Sequence, residues 1–290
     1  GWYRNYNFIY FHLTDNTLDI RKMEIDEIII AIPTATGEEM RRILDYCTPC
    51  GAQIRTIPGL DGLMDGRVSW SQVRDVHIDD LLGRAPVELE TTSISEYIQD
   101  RTIMVTGAGG SIGGELCRQI LRFHPRKLLL VERSENSLFE IHRELTNRFG
   151  YIDVIPCLAD VTDRQRVKEI FAAHHPLTVF HAAAHKHVPM VEWNPAEAIK
   201  NNVRGTRILA EEAIEASVER FVFISSDKAV RPTSVMGASK RLGEVLLQSF
   251  AKNTDTAFLI VRFGNVLGSA GNVIPIFKEQ IKAGGPVTVT

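Results

Sequence analysis

Val105-Thr-Gly-Ala-Gly-Gly-Ser-Ile-Gly113 is the stretch from which the rest of this chain is read. A short apolar run, residues 102–105, leads into the glycines, and a segment with helical spacing starts near Glu115. Strand, tight turn and helix in that order form a phosphate-binding junction. Gly107 permits the turn, Gly110 lets the backbone approach a pyrophosphate, and Gly113 lets the helix pack on the strand. Ser111 and Ile112 fall in the first turn of that helix, where unpaired amides and the helix dipole favour negative charge. A second apolar run, 127–131, ends at Glu132, about 20 residues beyond the glycines, where an acid accepts hydrogen bonds from a ribose 2′-hydroxyl. The stretch therefore predicts a dinucleotide site. Glu132 favours NAD+, while Arg133 beside it can hold a 2′-phosphate; the expected cofactor is NAD(P)+, with NAD+ favoured.

Outward from this turn, strands near 102–106, 127–131, 152–156, 177–181, 219–225 and 257–263 alternate with helical patterns. That alternation predicts an α/β fold, a Rossmann-type doubly wound parallel sheet. Residues 273–283 read as one more helix and 286–290 as the start of a strand, so the substrate region is expected to be cut short. Upstream, 27–32 is β-branched, 37–46 has helical spacing and 53–57 is strand-like, which makes one βαβ unit. Such a unit leaves its sheet edges unpaired. Residues 1–60 are therefore read as the remnant of an N-terminal Rossmann-like domain, 61–100 as a connector, and 101–290 as the dinucleotide-binding domain. Residues 1–22 show no clear periodicity.

Composition narrows the classes of function. The chain has 290 residues, 44% of them hydrophobic, enough for a buried core, and a net charge of -3 argues against nucleic acid as partner. Its four cysteines, Cys47, Cys50, Cys117 and Cys157, are too scattered for a disulfide framework and point to a reducing, cytosolic setting. Cys47-Thr-Pro-Cys50 has redox spacing, but it falls at the end of a predicted helix. No apolar stretch approaches the ~20 residues that span a bilayer, and the first residues lack a signal-peptide pattern, so the chain as given is expected to be soluble. His181, His185 and His187 leave a strand, where a spacing of four makes no common face, and no metal is expected.

The remaining chemistry lies at strand ends. Asp160-Val161 follows the third strand, where a carboxylate and its backbone meet an adenine, and Ala182-Ala183-Ala184 follows the fourth, where small residues let the backbone pass the cofactor. Ser225-Ser226-Asp227-Lys228 ends the fifth. Met236-Gly-Ala-Ser-Lys240 comes next at helical spacing, so Met236 and Lys240 share a face. The glycine turn, the hydroxyl at the fifth strand and this helix resemble the extended short-chain dehydrogenase/reductase superfamily, whose helix motif is Tyr-x-x-x-Lys. Here the tyrosine position is Met236, and a thioether neither gives nor takes a proton. The run from Ser225 to Lys240 is similar to one branch, the nucleotide-sugar 4,6-dehydratases of bacterial polysaccharide biosynthesis, which commonly carry Met there. His185-Lys-His-Val-Pro189, Asn201-Asn-Val-Arg-Gly-Thr206 and Arg262-Phe-Gly-Asn-Val-Leu-Gly-Ser269 are similar to it too. The resemblance runs from about Ile25 to the last residue.

The resemblance implies a UDP-sugar substrate, UDP-N-acetylglucosamine or a close relative. Hydride leaves sugar C4, the ketone acidifies the C5 proton, water is lost across C5 and C6, and the hydride returns to C6. One group takes the C5 proton and another protonates the departing hydroxyl; Lys228 and Asp227 match these roles. A basic Lys228 calls for a depressed pKa, from desolvation or from the charge of Lys240 or Lys186, and an acidic Asp227 for a raised one. Ser226 orients the C4 hydroxyl and Lys240 holds the nicotinamide ribose. Lys186, Asn265, Ser269 and Asn272 are the substrate-side candidates. A homo-oligomer is expected. The resemblance also implies a parent anchored by N-terminal membrane helices, with its catalytic part on the cytoplasmic face. Two other readings stay open: a UDP-hexosamine 4-epimerase, which needs no C5 base, and a non-catalytic dinucleotide-loaded module.

Overall fold

The computed structural model describes residues 26–32, 34–57, 74–76, 91–266 and 273–288. The chain divides into two compact units, Gly1–Glu88 and Leu89–Thr290. In the first, β1 (Glu27–Ile30) and β2 (Gln53–Thr56) pair in parallel across helix α1 (Gly37–Cys47), and the short β3 (Arg74–Asp75) adds antiparallel to β2. Thr36 and Glu39 form a capping box that starts α1: the Glu39 amide donates to Thr36 Oγ1 at 3.3 Å and the Thr36 amide to Glu39 Oε2 at 2.8 Å. Met40, Ile43 and Cys47 on one face of α1 pack with Ile30. Cys47 is buried at the end of the helix, and Thr48–Cys50 continues as a 3-10 turn.

The second unit opens with helix α2 (Thr91–Ile98), in a stretch whose sequence reads only as connector; Ile94 and Ile98 carry it onto the core. Strands and helices then alternate: β4 (Thr102–Thr106), α3 (Ser111–Leu121), β5 (Lys127–Glu132), α4 (Glu135–Arg148), β6 (Asp153–Leu158), α5 (Arg164–His174) and β7 (Thr178–His181). Short helices α6 (Val188–Trp193) and α7 (Pro195–Ala198) lead into a π-helical stretch (Ile199–Gly205) and α8 (Thr206–Glu215). After β8 (Arg220–Ile224) come α9 (Val235–Phe250), β9 (Ala257–Val261) and α10 (Val273–Lys282). The strands form one six-stranded sheet in the order β6-β5-β4-β7-β8-β9, parallel throughout. This is the predicted doubly wound architecture, and its strand order reverses between β4 and β7, where such folds bind ligands.

Alternation along each strand sorts side chains onto two cores. Ile103, Val105, Leu128 and Leu130 face one side with Cys117, Leu121, Ile141 and Leu145 of α3 and α4. Met104, Leu129, Val131 and Val179 face the other with Val167, Phe171, Leu209 and Leu247. Residues 286–288, expected to begin a strand, make no strand pairing. The Gln280 side chain holds Thr288 instead, accepting its amide at 3.0 Å and donating to its hydroxyl at 3.1 Å. Among the described residues, no helix is long and apolar enough to cross a membrane.

Candidate active site

At the end of β4, Gly107 has φ +67, and a Cβ there would lie 2.8 Å from the Ala183 backbone. The glycine turn and the Ala182–Ala183 backbone therefore pass close together, which a side chain at position 107 would prevent. Gly110 is the N-cap of α3 and has no side chain to cap it. Ser111, Ile112 and Gly113 follow as the first turn of the helix, where the backbone amides point toward the glycine turn and the helix dipole favours negative charge. This donor set and the tight cradle around it fit a pyrophosphate. Glu132 closes the turn from the side: its carboxylate accepts from the Gly109 amide at 3.2 Å and from the Arg133 and Ser134 amides at 2.9 and 3.0 Å.

Arg133, Ser134, Asp160 and Arg166 line one open groove beyond Glu132. Partial burial pushes the Asp160 carboxyl up, but bonds from the Thr162 amide (2.8 Å) and hydroxyl (2.7 Å) outweigh it and hold the group below its ordinary value. Val161 is buried in the core, so of that pair only Asp160 presents a side chain to the groove. Arg133 Nη2 lies 3.5 Å from His185 Nδ1. Arg166 was not singled out from sequence; it lies on α5, beyond the strand-end positions that the fold rule marks.

Beyond β8, Ser226 caps the 3-10 turn Asp227–Ala229, its hydroxyl accepting from the Lys228 amide at 3.2 Å and donating to Asp227 Oδ1 at 2.9 Å. Lys228 Nζ donates to Asp227 Oδ1 at 3.2 Å and to Asn265 Oδ1 at 2.9 Å. The turn therefore gathers a hydroxyl, a carboxylate, an ammonium and an amide from two neighbouring strand ends. Burial pushes the Asp227 carboxyl up, but the bonds from Ser226 and Lys228 prevail and hold it below its ordinary value. The raised pKa expected of Asp227 is thus not found: with these two donors beside it the group is a carboxylate.

Met236 is buried on α9 against Val191 and Ala198. One turn on, Lys240 is buried with its Nζ donating to Ile224 O at 2.8 Å and lying 4.7 Å from the centre of the Phe223 ring. Burial, opposed by the Glu244 charge, lowers its pKa to about 8. Lys186 is exposed on the loop after β7. Ser269 and Asn272 lie outside the described residues. His181 sits between two hydroxyls, Thr106 Oγ1 at 2.7 Å and Thr206 Oγ1 at 2.9 Å.

Residues 103–290 match the model of the polysaccharide biosynthesis protein family. The chain belongs to that family. It is 48% identical over 273 residues to a capsular polysaccharide biosynthesis protein, CapD, of Staphylococcus aureus, covering 93% of this chain and 46% of the relative. A UDP-N-acetylglucosamine 4,6-dehydratase (inverting) of Campylobacter jejuni is 34% identical over 198 residues, covering 66% of this chain and 57% of that protein. A UDP-glucose 4-epimerase of Rickettsia rickettsii is 36% identical over 199 residues, covering 66% and 56%. The chain thus spans about half the length of the first curated relatives it matches, 46% of each.

Proposed function

We propose that this chain carries the dinucleotide site and the acid–base centre of a nucleotide-sugar 4,6-dehydratase of polysaccharide biosynthesis, acting on UDP-N-acetylglucosamine or a similar UDP-hexosamine. The observation that carries this reading is the Ser226, Asp227, Lys228 and Asn265 cluster at the ends of adjacent strands, beside a helix α9 that buries Met236 and Lys240. Similarity both to a 4,6-dehydratase and to a 4-epimerase supports nucleotide-sugar chemistry. Asp227 and Lys228 favour dehydration, because an epimerase needs no base at C5.

The bound dinucleotide would supply the hydride acceptor and donor. Gly107 to Gly113 hold its pyrophosphate, Glu132 its adenosine ribose, Asp160 and the Ala182–Ala184 backbone border it, and Lys240 holds the nicotinamide ribose. Ser226 orients the C4 hydroxyl, and Lys186 with Asn265 takes the substrate side. For the elimination, Lys228 takes the C5 proton and Asp227 protonates the leaving hydroxyl. Both need their neutral forms, and one proton moving from Lys228 Nζ to Asp227 Oδ1 along their 3.2 Å hydrogen bond produces both at once. Expulsion of water by the substrate favours that neutral pair over the ion pair.

The test is incubation of parent-length protein with UDP-N-acetylglucosamine and mass spectrometry of the product. A product lighter by one water is expected; no product from any UDP-hexosamine would sink the reading, and a substrate-mass product with inverted C4 would replace it with the epimerase. Lys228→Ala should abolish water loss while cofactor binding is kept, and unchanged turnover rules Lys228 out as the base. NAD+ is the cofactor this reading favours, on Glu132. Calorimetric titration should show NAD+ binding more tightly than NADP+, and the opposite order would assign the Arg133 and Arg166 groove to a 2′-phosphate.

A further inference from the structure

Glu244 has a side chain with no exposed surface in the middle of α9, and none of the steps above uses it. A desolvated charge must be paired and fully hydrogen-bonded to persist. Ser225 Oγ donates to Oε1 at 2.6 Å, Arg262 Nε donates to Oε1 at 2.7 Å and its Nη2 to Oε2, and Arg241 Nη1 donates to Oε2 at 2.8 Å. The Arg262 contact is a two-pronged guanidinium–carboxylate fork, which fixes geometry as well as charge. Burial pushes the Glu244 carboxyl up, and these bonds more than reverse it, holding it at about 2.

The partners come from different elements. Ser225 is the first residue after β8 and Arg262 the first after β9. Just downstream of them stand Ser226, Asp227 and Lys228 on one strand end and Asn265 on the other. Backbone pairing continues past both strands, from the Ser225 amide to Val261 O at 2.7 Å and from the Asp227 amide to Phe263 O at 3.1 Å. One turn earlier on α9, Lys240 holds Ile224 O. Consecutive residues at the end of β8, Ile224 and Ser225, are thus each tied to the buried face of α9.

We propose that Glu244 is a positioning residue for the acid–base turn: with Arg262 and Ser225 it locks the ends of β8 and β9 together, so that Lys228 reaches Asp227 and Asn265 at once. This rests on the reading of Asp227 and Lys228 as the reactive pair. Glu244→Gln keeps the shape and surrenders the charge; Arg262→Lys keeps the charge and surrenders the fork, and it serves where the first variant does not fold.

Amide hydrogen exchange on the full chain tests the lock without any assumed activity. The Ser225 and Asp227 amides should exchange about tenfold faster or more in either variant, while the Gly107 amide, bonded to Val131 O at 2.8 Å, stays within about twofold. No acceleration, or equal acceleration at all three amides, overturns the proposal. In parent-length protein, kcat should fall about tenfold with KM within about twofold, as expected when geometry at the reacting atoms is lost and binding is kept. An unchanged kcat also overturns it. If the unsubstituted protein turns over no UDP-hexosamine, the functional reading fails, and the exchange result alone then decides whether the lock exists.

Discussion

The His181 imidazole is fully buried, and burial, with the Lys240 charge nearby, brings its pKa down to about 3. It is therefore neutral in the fold, with one ring nitrogen donating and the other accepting between Thr106 and Thr206. In the unfolded chain the same group has the ordinary value of 6.5. Between pH 6.5 and 3 the unfolded chain binds a proton that the folded chain does not, so stability falls as pH falls through that window. The slope approaches about 1.4 kcal/mol per pH unit once the unfolded group is fully protonated, so acidification from pH 6.5, where it is half protonated, to pH 5 should cost about 1.6 kcal/mol. His181→Gln, which can still donate and accept, should flatten that dependence in urea unfolding at the two pH values. A slope as steep as before would show that other groups carry the acid sensitivity. The same imidazole is a structural tie. Thr206 Oγ1 donates on to Asn202 O at 2.7 Å and Asn202 Nδ2 to Ser239 Oγ at 3.0 Å, so hydrogen bonds run from the strand of the glycine turn to the helix of Met236 and Lys240.

At the scale of elements, α9 packs tightly on the acid–base turn at Gly237. A Cβ there would lie 2.2 Å from Lys228 O, so Gly237→Ala must push the helix and the turn apart. We expect a stability loss of about 1–3 kcal/mol from the overpacking and a fall in kcat of roughly a hundredfold from the displaced Lys228. Denaturant unfolding and turnover of the parent-length protein measure the two, and turnover within a factor of about two would show that the turn tolerates the shift. What the sequence revealed was local: the glycine turn, the six strands, the α9 face shared by Met236 and Lys240, and the cluster after β8 all follow from short-range pattern. What it hid depends on strand order. Glu244 reads as one more helix charge until β9 brings Arg262 to it, and Thr106 meets His181 only because β7 lies beside β4. Helix α2 was illegible because just Ile94 and Ile98 mark its core face, and Asp227's charge state because it is set by where the hydroxyl and ammonium donors sit.

At the scale of the whole chain, each compact unit has its own sheet and its own apolar core. Every described residue assigned to the dinucleotide, from Gly107 through Glu132, Asp160 and Ala184 to Lys240, belongs to the unit Leu89–Thr290. Residues 89–290 produced alone should therefore bind the cofactor within about twofold of the full chain's Kd, a difference under about 0.5 kcal/mol. The position of the cut matters. Starting at Arg101, where the sequence pattern becomes regular, removes Ile94 and Ile98 from the core against β4 and α3. It also removes Tyr97, whose ring centre lies 4.1 Å from the Arg220 guanidinium carbon. Losing a buried isoleucine and its packing costs about 2–5 kcal/mol, and the cation–π contact adds about 0.5–1 kcal/mol. Residues 101–290 should accordingly unfold at clearly lower urea than 89–290 while the glycine turn, which α2 does not supply, keeps its affinity in whatever fraction stays folded. Equal unfolding midpoints for the two pieces would mean that α2 adds nothing to the core, and a cofactor affinity restored only by residues 1–88 would mean that the first unit takes part in the site.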